Sequence, residues 1–218
     1  MQGDLEGALE RVLGEPAALR VAGRTDAGVH ALGQVASFTV ERPAPASLER
    51  ALNALTGPDV AVLSLEPATD GFDARRDARS RRYRYRVETA RPPSPFERGR
   101  ALAWSHPLDL HALEACAEAL VGKHDFTAFT PTDTKHVHFE RHVLAADWQR
   151  ESDAVLAFEI EADAFMRSMV RALVGTMLEV GSGRRDTLDF ERLLAGAPRP
   201  EAGDTAAAHG LYLVGVTY

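Results

Sequence analysis

Ten residues, SRRYRYRVET at positions 80–89, constrain the fold more than any other stretch. A period of two puts Tyr83, Tyr85 and Val87 on one side of an extended segment and Arg82, Arg84 and Arg86 on the other. A helix would scatter these residues around its circumference, so the pattern asks for a strand whose aromatic side is buried in a sheet. Like charges along one strand face repel by roughly a few tenths of a kcal/mol each, and a polyanion lying on the arginines is the expected relief. From Asp73 to Arg91 eight arginines face three acids, while the whole chain carries a formal charge of -7. A basic strip on an acidic body suits a protein that takes a polyanion at one place and repels it elsewhere. With 23 Arg and 2 Lys the chain is arginine-biased, so a solvated strand face is the competing explanation.

Other elements follow from apolar spacing. Leu5, Leu9, Val12 and Leu13 predict a helix over 3–13, and SLERALNAL predicts a second, capped by Ser47. Strands are expected at about 19–22, in GQVASFTV, and in DVAVLSLE as a buried one. The proline-rich ARPPSPFERG, 90–99, is the expected linker between domains 1–92 and 98–218. The second domain reads as strand ALAW, helix 109–121, strands 137–149 and 154–162, helix 164–180, a helix opened by Thr187, and strand LYLVGVTY. The fold class is therefore α+β, two mixed domains with largely antiparallel sheets around a cleft.

At 218 residues with 45% hydrophobic content, the chain is ordinary for a packed enzyme. No signal-peptide core or membrane span is visible, which places the protein in the cytoplasm. The single cysteine, Cys116, falls at an apolar helical position and reads as a buried small hydrophobe.

Few residues look chemical. Asp26 sits in GRTDAGVH between two glycines, either as a turn residue or as a carboxylate aimed into a cleft. The loop lacks the lysine of a phosphate-cradling motif, and Ala27 stands where an aspartic-protease loop needs a hydroxyl. His136, His138 and His142 in KHVHFERH lack acidic partners at useful spacing, so a polar edge is favoured over a metal site. In DAFMRSMVRALVGTMLEV, Arg171 must reach water or pair with a carboxylate, and Gly175 one turn later predicts a close approach to the helix.

Taken together, QGDLEGALE, VAGRTDAGVHALGQVASF, FDARRDARSRRYRYRV, HDFTAF, DAFMRSMVRALVGTMLEVG and GLYLVGVTY resemble the tRNA pseudouridine synthase A family. The resemblance spans essentially the whole chain. It implies the pseudouridine synthase fold, a homodimer, no cofactor, and isomerisation of uridines at tRNA positions 38, 39 and 40 in the anticodon stem-loop. By the same resemblance the catalytic aspartate falls on Asp26, the base-stacking tyrosine on Tyr83, and the arginine paired with the aspartate on Arg171. Arg24 corresponds to the arginine that displaces the target base, and His30, Arg75 and Arg79 fall in segments near the RNA.

These residue types suit the chemistry. Cleaving a glycosidic bond passes through a cationic sugar that one carboxylate stabilises by charge or by a covalent bond, and no second carboxylate is needed because the leaving uracil is also the incoming nucleophile. Attack on the sugar and proton abstraction to a glycal both use Asp26. With Arg171 in the other half of the sequence, the pair is expected to form across the domain cleft. Tyr83 would replace the stacking that the flipped base loses, and its phenol is a candidate acceptor of the carbon-5 proton. An ordinary glycoside hydrolase would need a second carboxylate motif, which is missing. Family members normally begin with a further strand and loop carrying Tyr-Asp-Gly and Gly-Trp-Gln. Here Met1-Gln2-Gly3 opens the chain, so one strand of the first domain is expected to be absent, and binding of RNA without catalysis is the alternative function.

Overall fold

The computed structural model describes residues 1–134 and 136–218; Lys135, the first residue of KHVHFERH, lies outside the described residues. In chain order the first elements are α1 (Gln2–Leu13), β1 (Arg20–Val21), β2 (His30–Ala31), β3 (Ala36–Ser37), α2 (Leu48–Leu55) and β4 (Ser80–Glu88). There follow β5 (Leu102–Ala103), α3 (Leu110–Leu120), β6 (Gly122–Asp125), β7 (Glu140–Ser152) and β8 (Val155–Ala162). The last are α4 (Met169–Gly181), α5 (Thr187–Leu193) and β9 (Leu211–Thr217). They form two compact units, one of residues 1–23 and 35–78, the other of 24–34 and 79–218.

In the smaller unit α1 buries Ala8 and Leu9 against Leu19, Leu48 and Leu52. It ends at Gly14, whose left-handed φ of 76° lets its N–H return to the Glu10 carbonyl, a stop that a side chain would strain. Ser47 precedes α2 as expected, yet its side chain makes no capping bond. The strands expected at 19–22 and in GQVASFTV shrink to a two-residue antiparallel pair, Arg20 opposite Ser37 and Val21 opposite Ala36. DVAVLSLE is not a strand. Its Val62 N–H donates to Asn53 Oδ1 (2.7 Å) and its carbonyl accepts from Asn53 Nδ2 (2.8 Å), so a side-chain amide takes the place of a neighbouring strand. Leu63 is consequently 78% exposed.

The larger unit is built on a seven-stranded sheet, ordered β2-β9-β4-β8-β7-β6 with β5 beside β4. β2 runs parallel to β9 and β5 parallel to β4; the other pairings are antiparallel. β6 was not foreseen, because GKHD has no apolar alternation. Tyr83, Tyr85 and Val87 of β4 enter the core with Phe158, Ile160, Leu173 and Met177. Cys116 is buried in the same core, and burial pushes its thiol up to about 12, which leaves it an inert apolar group.

The other face of β4 differs from expectation. Arg84 pairs with Glu159 of β8 (2.6 Å), and Arg86 pairs with both Glu97 and Glu151 (2.6 Å each). Arg82 lies opposite Glu161 in the strand register. One-sign charge along β4 is thus answered by carboxylates beside it, and no polyanion is needed to relieve it.

The compact units also divide differently from the expected 1–92 and 98–218. β4 lies between β8 and β9, both from the C-terminal half, so hydrogen bonding places residues 80–88 with that half. The 90–99 stretch lies within the larger unit, where Ser94 N–H donates to Glu88 and Tyr212 Oη donates to the Arg100 carbonyl. The helix expected at 164–180 begins only at Met169, after a residue of left-handed backbone, Ser168. α5 opens at Thr187 as expected, and Asp186 before it supplies the cap, its carboxylate accepting from Asp189 N–H (2.7 Å).

Candidate active site

The loop bearing Asp26 is fastened from behind. β2 follows it directly and pairs with β9, His30 opposite Tyr212 and Ala31 opposite Leu213, and Leu32 N–H donates to the Leu213 carbonyl (2.8 Å). Within the loop Val29 N–H donates to the Asp26 carbonyl (3.0 Å), and Gly28 turns the chain with φ of 85°, a conformation that favours glycine. Asp26 is thus a turn residue through its carbonyl, while its carboxylate is used elsewhere.

That carboxylate meets the N-terminal end of α4. Arg171 Nη1 donates to Asp26 Oδ2 at 2.8 Å and Ser168 Oγ donates to the same oxygen at 3.1 Å. The side chains of Arg171 and Asp26 are 18% and 32% exposed, so the ion pair is shielded without being sealed. A helix N-terminus also favours negative charge, by about 0.3–1 kcal/mol in exposed settings. The pair was expected to bridge two domains, whereas residues 24–34 group with α4 in one compact unit.

Arg171 is held on its other side by the chain after α5. Its Nε donates to the Ala206 carbonyl (2.7 Å), and Ala206 N–H donates back to the Arg171 carbonyl (3.1 Å). Gly175 permits this approach: a Cβ there would stand 1.8 Å from the Asp204 carbonyl oxygen. Gly203 N–H donates to Thr176 Oγ1 (3.0 Å), and Tyr85 Oη donates to the Ala207 carbonyl (2.7 Å). The segment 203–207 therefore ties α4 to β4 and orients the guanidinium between them. The close approach predicted at Gly175 is the Asp204 backbone.

Tyr83 is 8% exposed and packs edge-on against Phe165, centroids 5.0 Å apart at 78°. Burial pushes its phenol up to about 12, with the Asp26 charge raising it further and Arg81 opposing. The phenol is protonated near neutral pH, which makes its oxygen a weak base.

Arg24 is exposed two residues before Asp26, and Arg79 is exposed just ahead of β4, its N–H donating to the Thr217 carbonyl (2.8 Å). His30 stacks on Tyr212 (4.7 Å, 22°) and its Nε2 lies 2.9 Å from the Gly99 carbonyl oxygen, so its ring is engaged with protein. Arg75 belongs to the smaller unit, where its N–H donates to Asp73 Oδ1 (2.9 Å). His136, His138 and His142 are exposed, and among the described residues no three metal-ligating side chains converge. Ser168 was missed. A serine ahead of an apolar run signals a cap, and nothing in the sequence says that its hydroxyl turns to an aspartate 142 residues earlier.

Helices on a largely antiparallel sheet, joined to a match of residues 116–218 with the family model described as tRNA pseudouridine synthase, define the class as pseudouridine synthases. The chain is 42% identical over 219 residues to tRNA pseudouridine synthase A of Myxococcus xanthus, covering 100% of this chain and 83% of that protein. It is 46% identical over 221 residues to the protein of the same name from Frankia casuarinae, covering 100% and 80%. With that of Lacticaseibacillus casei it shares 40% over 222 residues, covering 100% and 90%. The chain belongs to the tRNA pseudouridine synthase A family, isomerases that convert uridine to pseudouridine. Among the described residues no helix is long and apolar enough to cross a membrane.

Proposed function

We propose that the chain isomerises uridines at positions 38, 39 and 40 of the tRNA anticodon stem-loop, with Asp26 as the reacting carboxylate. The observation that carries this reading is the Asp26–Arg171 ion pair, 2.8 Å long and mostly shielded, on a loop flanked by glycines. Breaking the bond between ribose and uracil develops positive charge on the sugar, and a carboxylate fixed beside it stabilises that charge or bonds to it. Arg171 holds the Asp26 carboxylate in place before substrate arrives, and the departing base re-attaches through carbon 5 without a water.

To reach Asp26 the uridine leaves its stack. Tyr83 supplies a compensating aromatic contact, Arg24 fills the space the base vacates, and Arg79, Arg75 and His30 belong to segments that approach the RNA. The high phenol pKa favours Tyr83 as a packing and stacking group over a free base. The reading includes a homodimer acting in the cytoplasm, for which light scattering is the first check. RNA binding without turnover through the arginine strand has less support, since Arg84 and Arg86 are already paired.

Incubation with tRNA tritiated at uracil carbon 5 tests the assignment. Wild type should release tritium and Asp26→Asn should not. Equal release by both, or none by wild type, would end this reading. Salt-sensitive tRNA binding with no release would favour the binding-only alternative.

A further inference from the structure

We propose that Ser168 is a positioning residue, whose hydroxyl acts with Arg171 to fix the carboxylate plane of Asp26 and hold its second oxygen, Oδ1, toward the ribose. The proposal rests on the reading of Asp26 as the reacting carboxylate.

Ser168 stands at the N-cap of α4, where a serine ordinarily accepts a hydrogen bond from a first-turn backbone N–H. Its side chain makes no such bond, and its hydroxyl donates to Asp26 Oδ2 at 3.1 Å. Its backbone is left-handed, φ 58° and ψ 5°, the one non-glycine residue with positive φ among the described residues. That region crowds any Cβ, and glycine would occupy it freely. At this position serine therefore gives up both cap and backbone comfort, and what it supplies that glycine lacks is the hydroxyl on Asp26. Backbone outliers of this kind cluster at functional sites.

The geometry explains what the hydroxyl adds. A carboxylate gripped by one donor can still rotate about its Cβ–Cγ bond. Ser168 Oγ and Arg171 Nη1, three residues apart, both donate to Oδ2, at 3.1 and 2.8 Å. Two donors on one oxygen limit that rotation and leave Oδ1, which has no hydrogen-bond partner among the described residues, as the oxygen offered to substrate. Reactions at a sugar carbon are sensitive to such placement, since tolerances of about 0.5 Å and 10–20° separate productive from idle geometries. Ser168 makes and breaks no covalent bond.

The test compares Ser168→Gly, Ser168→Ala and Asp26→Asn with wild type, measuring melting temperature, tRNA affinity and tritium release. Glycine suits the backbone, so Ser168→Gly should melt at or above wild type, and above Ser168→Ala. Both serine variants should lose roughly tenfold to a hundredfold in kcat, the scale of one hydrogen bond to a charged group, with tRNA affinity and KM unchanged. A Ser168→Gly protein with kcat within about twofold of wild type overturns the proposal, as does a loss carried by KM. If Asp26→Asn is inactive while Ser168→Gly is unimpaired, the role of Ser168 alone fails. If Asp26→Asn turns over, the assignment of Asp26 fails and takes Ser168 with it.

Discussion

Replacing Gly175 by alanine should destabilise the protein, although alanine is the better helix former by about 1 kcal/mol. The added Cβ would lie 1.8 Å from the Asp204 carbonyl oxygen and 3.0 Å from its carbon, both of them backbone, so no side-chain rotation relieves the clash. To reach even 3.0 Å the segment must retreat by about 1.2 Å. Three hydrogen bonds span that junction: Arg171 Nε to the Ala206 carbonyl, Ala206 N–H to the Arg171 carbonyl, and Gly203 N–H to Thr176 Oγ1. At about 0.5–1.5 kcal/mol each, their weakening outweighs the helix-propensity gain and leaves a net loss of roughly 1–3 kcal/mol. Trp104 and Trp148, the only tryptophans, both lie in the larger unit, so urea unfolding followed by tryptophan fluorescence reads this loss directly. Activity should fall as well, because Arg171 loses a brace. Gly7→Ala in α1 is the control: nothing lies within 4 Å of its Cβ, and it should stabilise by roughly 0.5–1 kcal/mol, read by circular dichroism. A Gly175→Ala protein as stable as wild type would refute the account of 203–206 as a close-packed strap.

Arg171→Lys should retain the fold but lose most activity, since one ammonium cannot serve both Asp26 and the Ala206 carbonyl as the planar guanidinium does; single-turnover tritium release reads it. Burial pushes the Tyr83 phenol from its ordinary 10.0 up to about 12 in the folded protein. Its raised pKa favours the folded state below pH 10, and that contribution disappears as pH climbs toward 12. Tyr83→Phe should therefore shed less stability than wild type between pH 10 and 12, by up to roughly 1–3 kcal/mol in urea titrations. Glu159→Gln leaves Arg84 without its carboxylate and should cost about 1 kcal/mol, with tRNA affinity nearly unchanged; a large gain in affinity would mean that the arginine face does meet RNA.

What the sequence disclosed was whatever periodicity or residue type encodes. The alternation in 80–89 marked β4 and its buried tyrosines, and the apolar spacing of 109–121 marked α3 to within a residue. Gly175 announced a close neighbour, because glycine inside a helix has little other reason to be there. Pairings were less legible. The carboxylates that answer Arg84 and Arg86 come from residues 97, 151 and 159, and only the register of β4 on β8 reveals Glu159 as a partner. DVAVLSLE had the composition of a strand, but strand formation needs a neighbour, and Asn53 stands in its place. The pairing of Asp26 with Arg171 was suggested by resemblance; its second donor, Ser168, depends on a backbone angle that no residue type specifies.

The parallel pairing of β2 with β9 sets a delay in the protein's own synthesis. His30 meets Tyr212 only after 182 further residues have been added, which at about 5–20 residues per second takes roughly 10–40 s. Throughout that interval the loop carrying Asp26 lacks its support, and Arg171, made 145 residues after Asp26, gains the Ala206 carbonyl only 35 residues later still. A partly translated chain therefore carries Asp26 long before the strand pairing that fixes its loop can form.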